Sequence, residues 1–182
     1  QEPIWAALCD GTIDVIATDH APHSIEEKTR QDIWTVDCGF PGVETQMPLM
    51  LTAVAKGRGS ICDYVRWSAA NPAKIWGLYP RKGVIQPGAD ADIAVIDLNR
   101  RWTILDSELH STAKISPWNG WEVQGMPLHT IVRGRFVVKN RVLQSGTKGW
   151  GQSVHKIQNM PTPSPVNLDQ TTAAILSSGA RI

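Results

Sequence analysis

Apolar positions along this chain change period part-way, and each pattern predicts a different kind of element. Trp5 to Leu8 predicts the end of a helix, closed by a turn at Asp10-Gly11. Ile13 to Thr18 follows as a short, nearly continuous apolar run interrupted by Asp14, the pattern of a strand buried on both faces in a parallel sheet. A long polar loop from His20 to Cys38 leads to Gly39-Phe40-Pro41-Gly42. Val43, Met47, Met50, Leu51 and Val54 then recur at helical spacing, and Lys56-Gly57 supplies a helix end. Ser60 with Asp63 three residues later is a variant capping box, and Ile61, Tyr64, Val65 and Trp67 form the apolar side of the helix it opens. Asn71-Pro72 is expected to close that helix and start a shorter one, because the residue before proline avoids the helical region. Gly77 stands where a C-terminal cap belongs.

Beyond this point the pattern turns β-like. Ala91 to Ile96 is a strand-like run between Asp90 and Asp97, and Gln86-Pro87-Gly88 to Asp92 reads as the turn and strand start ahead of it. Thr130 to Val132 and Phe136 to Val138 flank Arg133-Gly134-Arg135 as a hairpin, and Val142-Leu143 is a candidate further strand. From about Gly151 periodicity is lost, and Pro161, Pro163 and Pro165 predict an extended tail. The chain therefore divides into a βα-like part (1–80), a small β domain (81–150) and a C-terminal tail (151–182), with no internal repeat.

Composition changes this picture little. The 182 residues are 42% hydrophobic and 19% charged, ordinary for a soluble globular protein. A formal net charge of +1 gives no electrostatic reason to expect nucleic acid or an anionic membrane. No apolar run approaches the roughly 18–20 residues that span a bilayer, and Gln1-Glu2-Pro3 is no signal peptide. The first residue is not methionine, so an upstream segment is expected. Cys9, Cys38 and Cys62 form no CxxC pair and are odd in number, which argues against a disulfide scaffold or a cysteine-ligated zinc and fits a reducing cytoplasm. The eight tryptophans, most of them beyond Trp67, read as buried or interface packing.

The candidate chemistry lies in Thr18-Asp19-His20-Ala21-Pro22-His23. An aspartate at the carboxyl end of a buried strand sits where catalytic groups converge in a (β/α)8 barrel. Asp19 can offer one oxygen to a metal and take a proton with the other. An aspartate after a strand also caps helices and turns, so the position alone leaves both readings open. His20 and His23 are three residues apart, and no further ligand follows at a recognisable spacing; His110, His129 and His155 stand in no such context. A self-contained zinc site is not expected.

The run Asp10 to His23, with Glu26-Glu27-Lys28 after it, resembles the last barrel strand and loop of dihydroorotases, and Gly39-Phe40-Pro41-Gly42-Val43-Glu44-Thr45 resembles the segment that follows. Asn71-Pro72-Ala73-Lys74, Gly83 to Asp92 and Gly120-Trp121-Glu122-Val123-Gln124-Gly125 are similar to patterns found across the amidohydrolase superfamily. The resemblance covers about residues 1 to 155 in unbroken order. It implies the C-terminal portion of a metal-dependent (β/α)8 barrel with a small β-rich, sandwich-like domain.

The resemblance also implies roles. Asp19 would be a metal ligand and proton shuttle, orienting a metal-activated hydroxide towards a cyclic amide carbonyl and then protonating the leaving nitrogen. His23 would help bind a substrate carboxylate, and the backbone of Cys38 and Gly39 would contact the substrate ring, where a glycine allows close approach. His20 would orient its neighbours rather than bind metal. The cofactor implied is a divalent metal pair, expected to be two zinc ions. Their remaining ligands (a His-x-His pair, a carboxylated lysine and two histidines) and the substrate-binding arginine and asparagine are absent before Asp19. They are expected on a missing N-terminal barrel segment. A small cyclic amide and a homo-oligomeric partner are implied, without nucleic acid or membrane.

His23 favours reversible ring opening of dihydroorotate to N-carbamoyl-aspartate, because a carboxylate requires a cationic or donor partner. Gly77 to Gly83 and the long tail after Gly149-Trp150-Gly151 look more like hydantoinases, dihydropyrimidinases or allantoinases. A third expectation is a non-catalytic, amidohydrolase-like scaffold that lacks the metal ligands and uses its tryptophans and tail as an interface.

Overall fold

The computed structural model describes residues 1–155. The first half is helical. α1 (Glu2–Asp10) carries Pro3 in its first turn, where the missing N–H has no intrahelical partner to lose, and ends at Gly11. The run Ile13–Thr18, expected as a buried parallel strand, forms no ladder among the described residues. A strand takes its hydrogen bonds from a neighbouring strand, and among the described residues none lies beside this one. Its backbone bonds go to Ala7, whose carbonyl accepts from Ile13 at 2.8 Å, and to Trp67, whose carbonyl accepts from Ile16 at 3.3 Å. The Asn71 side chain donates to the Asp14 carbonyl at 2.8 Å.

A short α2 (Ile25–Lys28) and a 3-10 turn (Ile33–Thr35) interrupt the polar loop. α3 (Val43–Ala55) follows over the span that the apolar spacing predicts. Ser60 and Asp63 form the expected reciprocal capping box at the start of α4 (Ile61–Val65). The expected break at Asn71-Pro72 is instead a widening. Arg66–Ala70 is a π turn that leads directly into α5 (Asn71–Ile75), and the Asn71 N–H reaches back to the Arg66 carbonyl. Proline lacks an N–H and its ring clashes with the carbonyl four residues back; a wider turn relieves both problems without ending the helix.

The second half is one antiparallel sheet in the order β1 (Ile93–Thr103), β2 (Glu122–Val132), β3 (Arg135–Lys139), β4 (Val142–Leu143). The 133–135 hairpin and the last short strand are where the pattern places them. β1 runs past Asp97, which the sequence marks as its end: the Asp97 carboxylate accepts from the N–H groups of Asn99 and Arg100, and the ladder resumes in shifted register at Arg101 opposite Gln124. No second sheet faces this one among the described residues, so the expected sandwich is represented by a single layer.

α3 packs on β2. Leu51 is buried against Gly125, whose φ of 93° and whose missing side chain are both required, since a Cβ there would lie 2.7 Å from the Leu51 side chain. The Thr52 hydroxyl accepts from the Gln124 N–H at 2.8 Å across the same seam. Trp67, Ile104, Met126 and Thr45 are almost fully buried, while Trp34, Trp76 and Trp121 are exposed, so the tryptophans do not share one role. At the start of the sheet, Arg81 and Lys82 pair with Asp90, each at 2.9 Å, and Asp92 receives both the Lys82 ammonium and the Arg133 N–H. Asp90 closes the 81–92 segment on itself and Asp92 joins it to the β2–β3 turn, a structural use of that motif. No helix among the described residues is long and apolar enough to cross a membrane. The expected tail lies, from residue 156 onward, outside the described residues.

Candidate functional site

Asp19 ends the extended run in a left-handed turn with φ of 45°. Aspartate tolerates that conformation better than most residues because its side chain is short and polar. Its carboxylate is exposed and makes no hydrogen bond among the described residues. The next residue turns back towards the start of α3. His20 pairs with Phe40 in an isolated parallel bridge, and the Ala21 N–H donates to the Phe40 carbonyl at 3.1 Å. The His20 Nδ1 accepts from two backbone N–H groups, Gly42 at 3.0 Å and Val43 at 3.2 Å.

His23 is half-buried and its Nδ1 lies 3.7 Å from Glu27 Oε2. Glu27 belongs to a capping box: Ser24 N–H donates to its carboxylate at 2.6 Å, and the Ser24 hydroxyl accepts from the Glu27 N–H at 3.3 Å. The Ser24 N–H is the main cause that holds the Glu27 carboxyl below its ordinary value. Asp37 completes a group with His23 and Glu27 whose ligand atoms lie within 4.8 Å of one another. Arg30 already faces Asp37 at 3.2 Å and Glu27 already caps α2, so both carboxylates have partners. Asp19 is not in this group.

Cys38 is exposed, and Gly39 adopts φ of 101°. A Cβ at Gly39 would lie 2.5 Å from the Cβ of Ala21, so the close approach this glycine permits is to the Asp19 loop. The sequence-predicted residues Asp19, Cys38 and Gly39 thus lie on two segments zipped together through His20–Phe40 and Ala21–Gly39, with His23 four residues beyond Asp19.

A further connection joins residues far apart in sequence. The Glu44 carboxylate accepts from the N–H groups of His110 and Ser111 at 2.7 and 3.0 Å and meets His110 Nδ1 at 2.9 Å. It ties the first turn of α3 to the loop after β1. A cleft of about 810 Å³ opens here, with His20, Glu44, Thr45, Leu109, His110 and Met126 in its wall. Nothing in the spacing of Glu44 and His110, 66 residues apart, signals this pairing.

The model of the amidohydrolase family matches residues 1–137. This chain belongs to the amidohydrolase family. As a family member it is 40% identical over 155 residues to the L-hydantoinase of Paenarthrobacter aurescens, which covers 83% of this chain and 33% of that protein. It is 45% identical over 134 residues to the dihydroorotase of Methanothermobacter thermautotrophicus, covering 74% of this chain and 31% of that one. The solved D-hydantoinase (dihydropyrimidinase) from Thermus sp. superposes with a TM-score of 0.79 at 35% identity, over 84% of this chain and 34% of the other. This amidohydrolase chain spans about a third of the length of the relatives it matches.

Proposed function

We propose that this chain is the C-terminal part of a cyclic amidohydrolase, with residues 1–80 completing a barrel and 81–150 a small β domain. The observation that carries the reading is Asp19: an exposed carboxylate, free of partners among the described residues, presented by a left-handed turn in a chain of the amidohydrolase family. Such a carboxylate fits a metal ligand, because no internal donor has to be displaced. A divalent metal pair, when bound, supplies Lewis acidity and acidifies water. Asp19 would give it one ligand, and its second oxygen would take a proton and hand it to the leaving nitrogen. The half-buried His23 is the donor for a carboxylate on the substrate, and the Cys38–Gly39 backbone borders the ring. In the full-length protein, Asp19→Asn is expected to abolish turnover of cyclic amides while the circular dichroism spectrum stays unchanged; near-normal activity would sink the assignment.

Dihydroorotate is the substrate that His23 favours, and a dihydroorotase is among the relatives. Hydantoins and dihydropyrimidines are the second reading, supported by the similarity to an L-hydantoinase and to a solved D-hydantoinase (dihydropyrimidinase). His23→Ala separates the two. It is expected to raise KM for dihydroorotate while hydantoin hydrolysis holds, and an equal loss on both substrates would remove His23 from carboxylate binding. Zinc content measured by atomic emission separates both readings from a scaffold: about two equivalents are expected for the enzyme, and no metal in any preparation would favour the scaffold.

A further inference from the structure

We propose that His20 is a positioning residue: its imidazole caps the N-terminus of α3 and thereby fixes the turn that presents Asp19. The role of Asp19 in this statement rests on the cyclic amidohydrolase reading; the cap itself does not.

α3 starts with a deficit. Its N-cap residue is Gly42, which has no side chain with which to accept from the first N–H groups of the helix. The acceptor comes instead from a residue far back in sequence, with Gly42 N–H at 3.0 Å and Val43 N–H at 3.2 Å from the same ring nitrogen of His20. Backbone N–H groups only donate, so the ring nitrogen Nδ1 is the acceptor in both bonds. The backbone of the same residue bridges to Phe40, and the Ala21 N–H to the Phe40 carbonyl closes the joint on the other side. Phe40 is in turn held edge-on to Trp118 at 4.9 Å between ring centres.

His20 thus grips α3 by its side chain and the 39–41 segment by its backbone, immediately after the left-handed Asp19. With that grip, Asp19 has a fixed residue on its C-terminal side, and its carboxylate is aimed by a helix that is itself packed on the sheet. Without it, the hydrogen bond that remains near this joint among the described residues is Ala21 N–H to the Phe40 carbonyl, which precedes α3.

The test uses three variants of the full-length protein. His20→Phe keeps an aromatic ring but removes the acceptor, His20→Ala removes both, and His20→Asn places an amide oxygen at the same bond distance from Cβ as the lost nitrogen. Hydrogen exchange at the Gly42 and Val43 amides is expected to accelerate in the Phe and Ala variants and to return towards the unsubstituted rate in the Asn variant. kcat on cyclic amides is expected to fall by about 10²-fold in the first two, as for a misplaced catalytic group. KM should stay within about threefold, and Asn should recover most of kcat. Unchanged exchange in the Phe and Ala variants overturns the cap. Full kcat in those variants, or restored protection in the Asn variant without restored kcat, overturns the positioning role. If the unsubstituted protein hydrolyses no cyclic amide, the activity reading fails separately, and the exchange data still decide the cap.

Discussion

At the α3–β2 seam, Leu51 and Thr45 are 3% and 2% exposed, and Gly125 lets helix and strand touch. In the loop between Asp19 and Phe40 the apolar residues Ile25, Ile33 and Trp34 are 52%, 73% and 92% exposed, and position is kept by polar links: the Ser24–Glu27 box, Arg30 with Asp37, and the Lys28 ammonium on the Asp37 carbonyl at 2.6 Å. The seam is held by area removed from water, which is non-directional and indifferent to pH near neutrality. The loop is held by directional contacts that water competes for, each worth little. Segments of the second kind open locally at low cost, and binding residues are commonly found on them. The contrast places the candidate residues Asp19 and His23 on a region held by polar links rather than by buried area.

The sharpest way to break this comparison is in the buried helix beside the seam. Trp67→Ala removes a side chain that is 1% exposed and is expected to destabilise the protein by about 3–5 kcal/mol in urea denaturation. A second, smaller loss should follow Gly125→Ala: about 1–3 kcal/mol from overpacking against Leu51, with roughly 1–2 kcal/mol more from φ of 93°. By contrast, Asp19→Asn is expected to leave global stability within about 0.5 kcal/mol. A large loss there would mean that the loop is part of the core after all.

Acid gives the finest discrimination. Hydrogen bonding from Lys82 is the leading cause that holds Asp90 below its ordinary 3.8, and the Ser24 N–H does the same for Glu27 below its ordinary 4.5. Both carboxyls have depressed folded-state values. Their stabilising contribution is therefore complete above those ordinary values and is lost as pH falls through the folded ones. Asp90 holds Arg81 and Lys82 together within the 81–92 segment, whose Asp92 reaches Arg133 at the β2–β3 turn, so Asp90→Asn should lower the urea midpoint at pH 7 and flatten part of the acid loss. Glu27→Gln should speed amide exchange at residues 24–28 while the midpoint holds. A midpoint shift in Glu27→Gln equal to that in Asp90→Asn would erase the distinction between the two regions.

Local signals were legible where the deciding interaction is local. The helix over Val43–Ala55, the Ser60–Asp63 box and the hairpin at 133–135 each depend on residues a few positions apart. The Ser24–Glu27 box carries the same spacing signature. The π turn before Pro72 and the continuation of β1 through Asp97 were not legible, because each is a local conflict resolved by a neighbour: the wider turn that spares proline a clash, and β2 pairing on both sides of the irregularity. The Ile13–Thr18 run forms no ladder for a related reason: an apolar run does not supply the neighbouring strand that a ladder needs, and among the described residues it has none and stays partly exposed.

By itself the sequence determined the helix and hairpin positions and the motif around Asp19, through short-range spacing and the resemblance carried by consecutive residues. The tertiary structure alone decided what those residues touch. It showed that His20 accepts from α3, that Gly39 gives room to Ala21, that Glu44 joins His110 across 66 residues, and that Gly125 accommodates Leu51. Contacts of that range depend on where whole elements dock, and packing volume and hydrogen-bond completion select the docking.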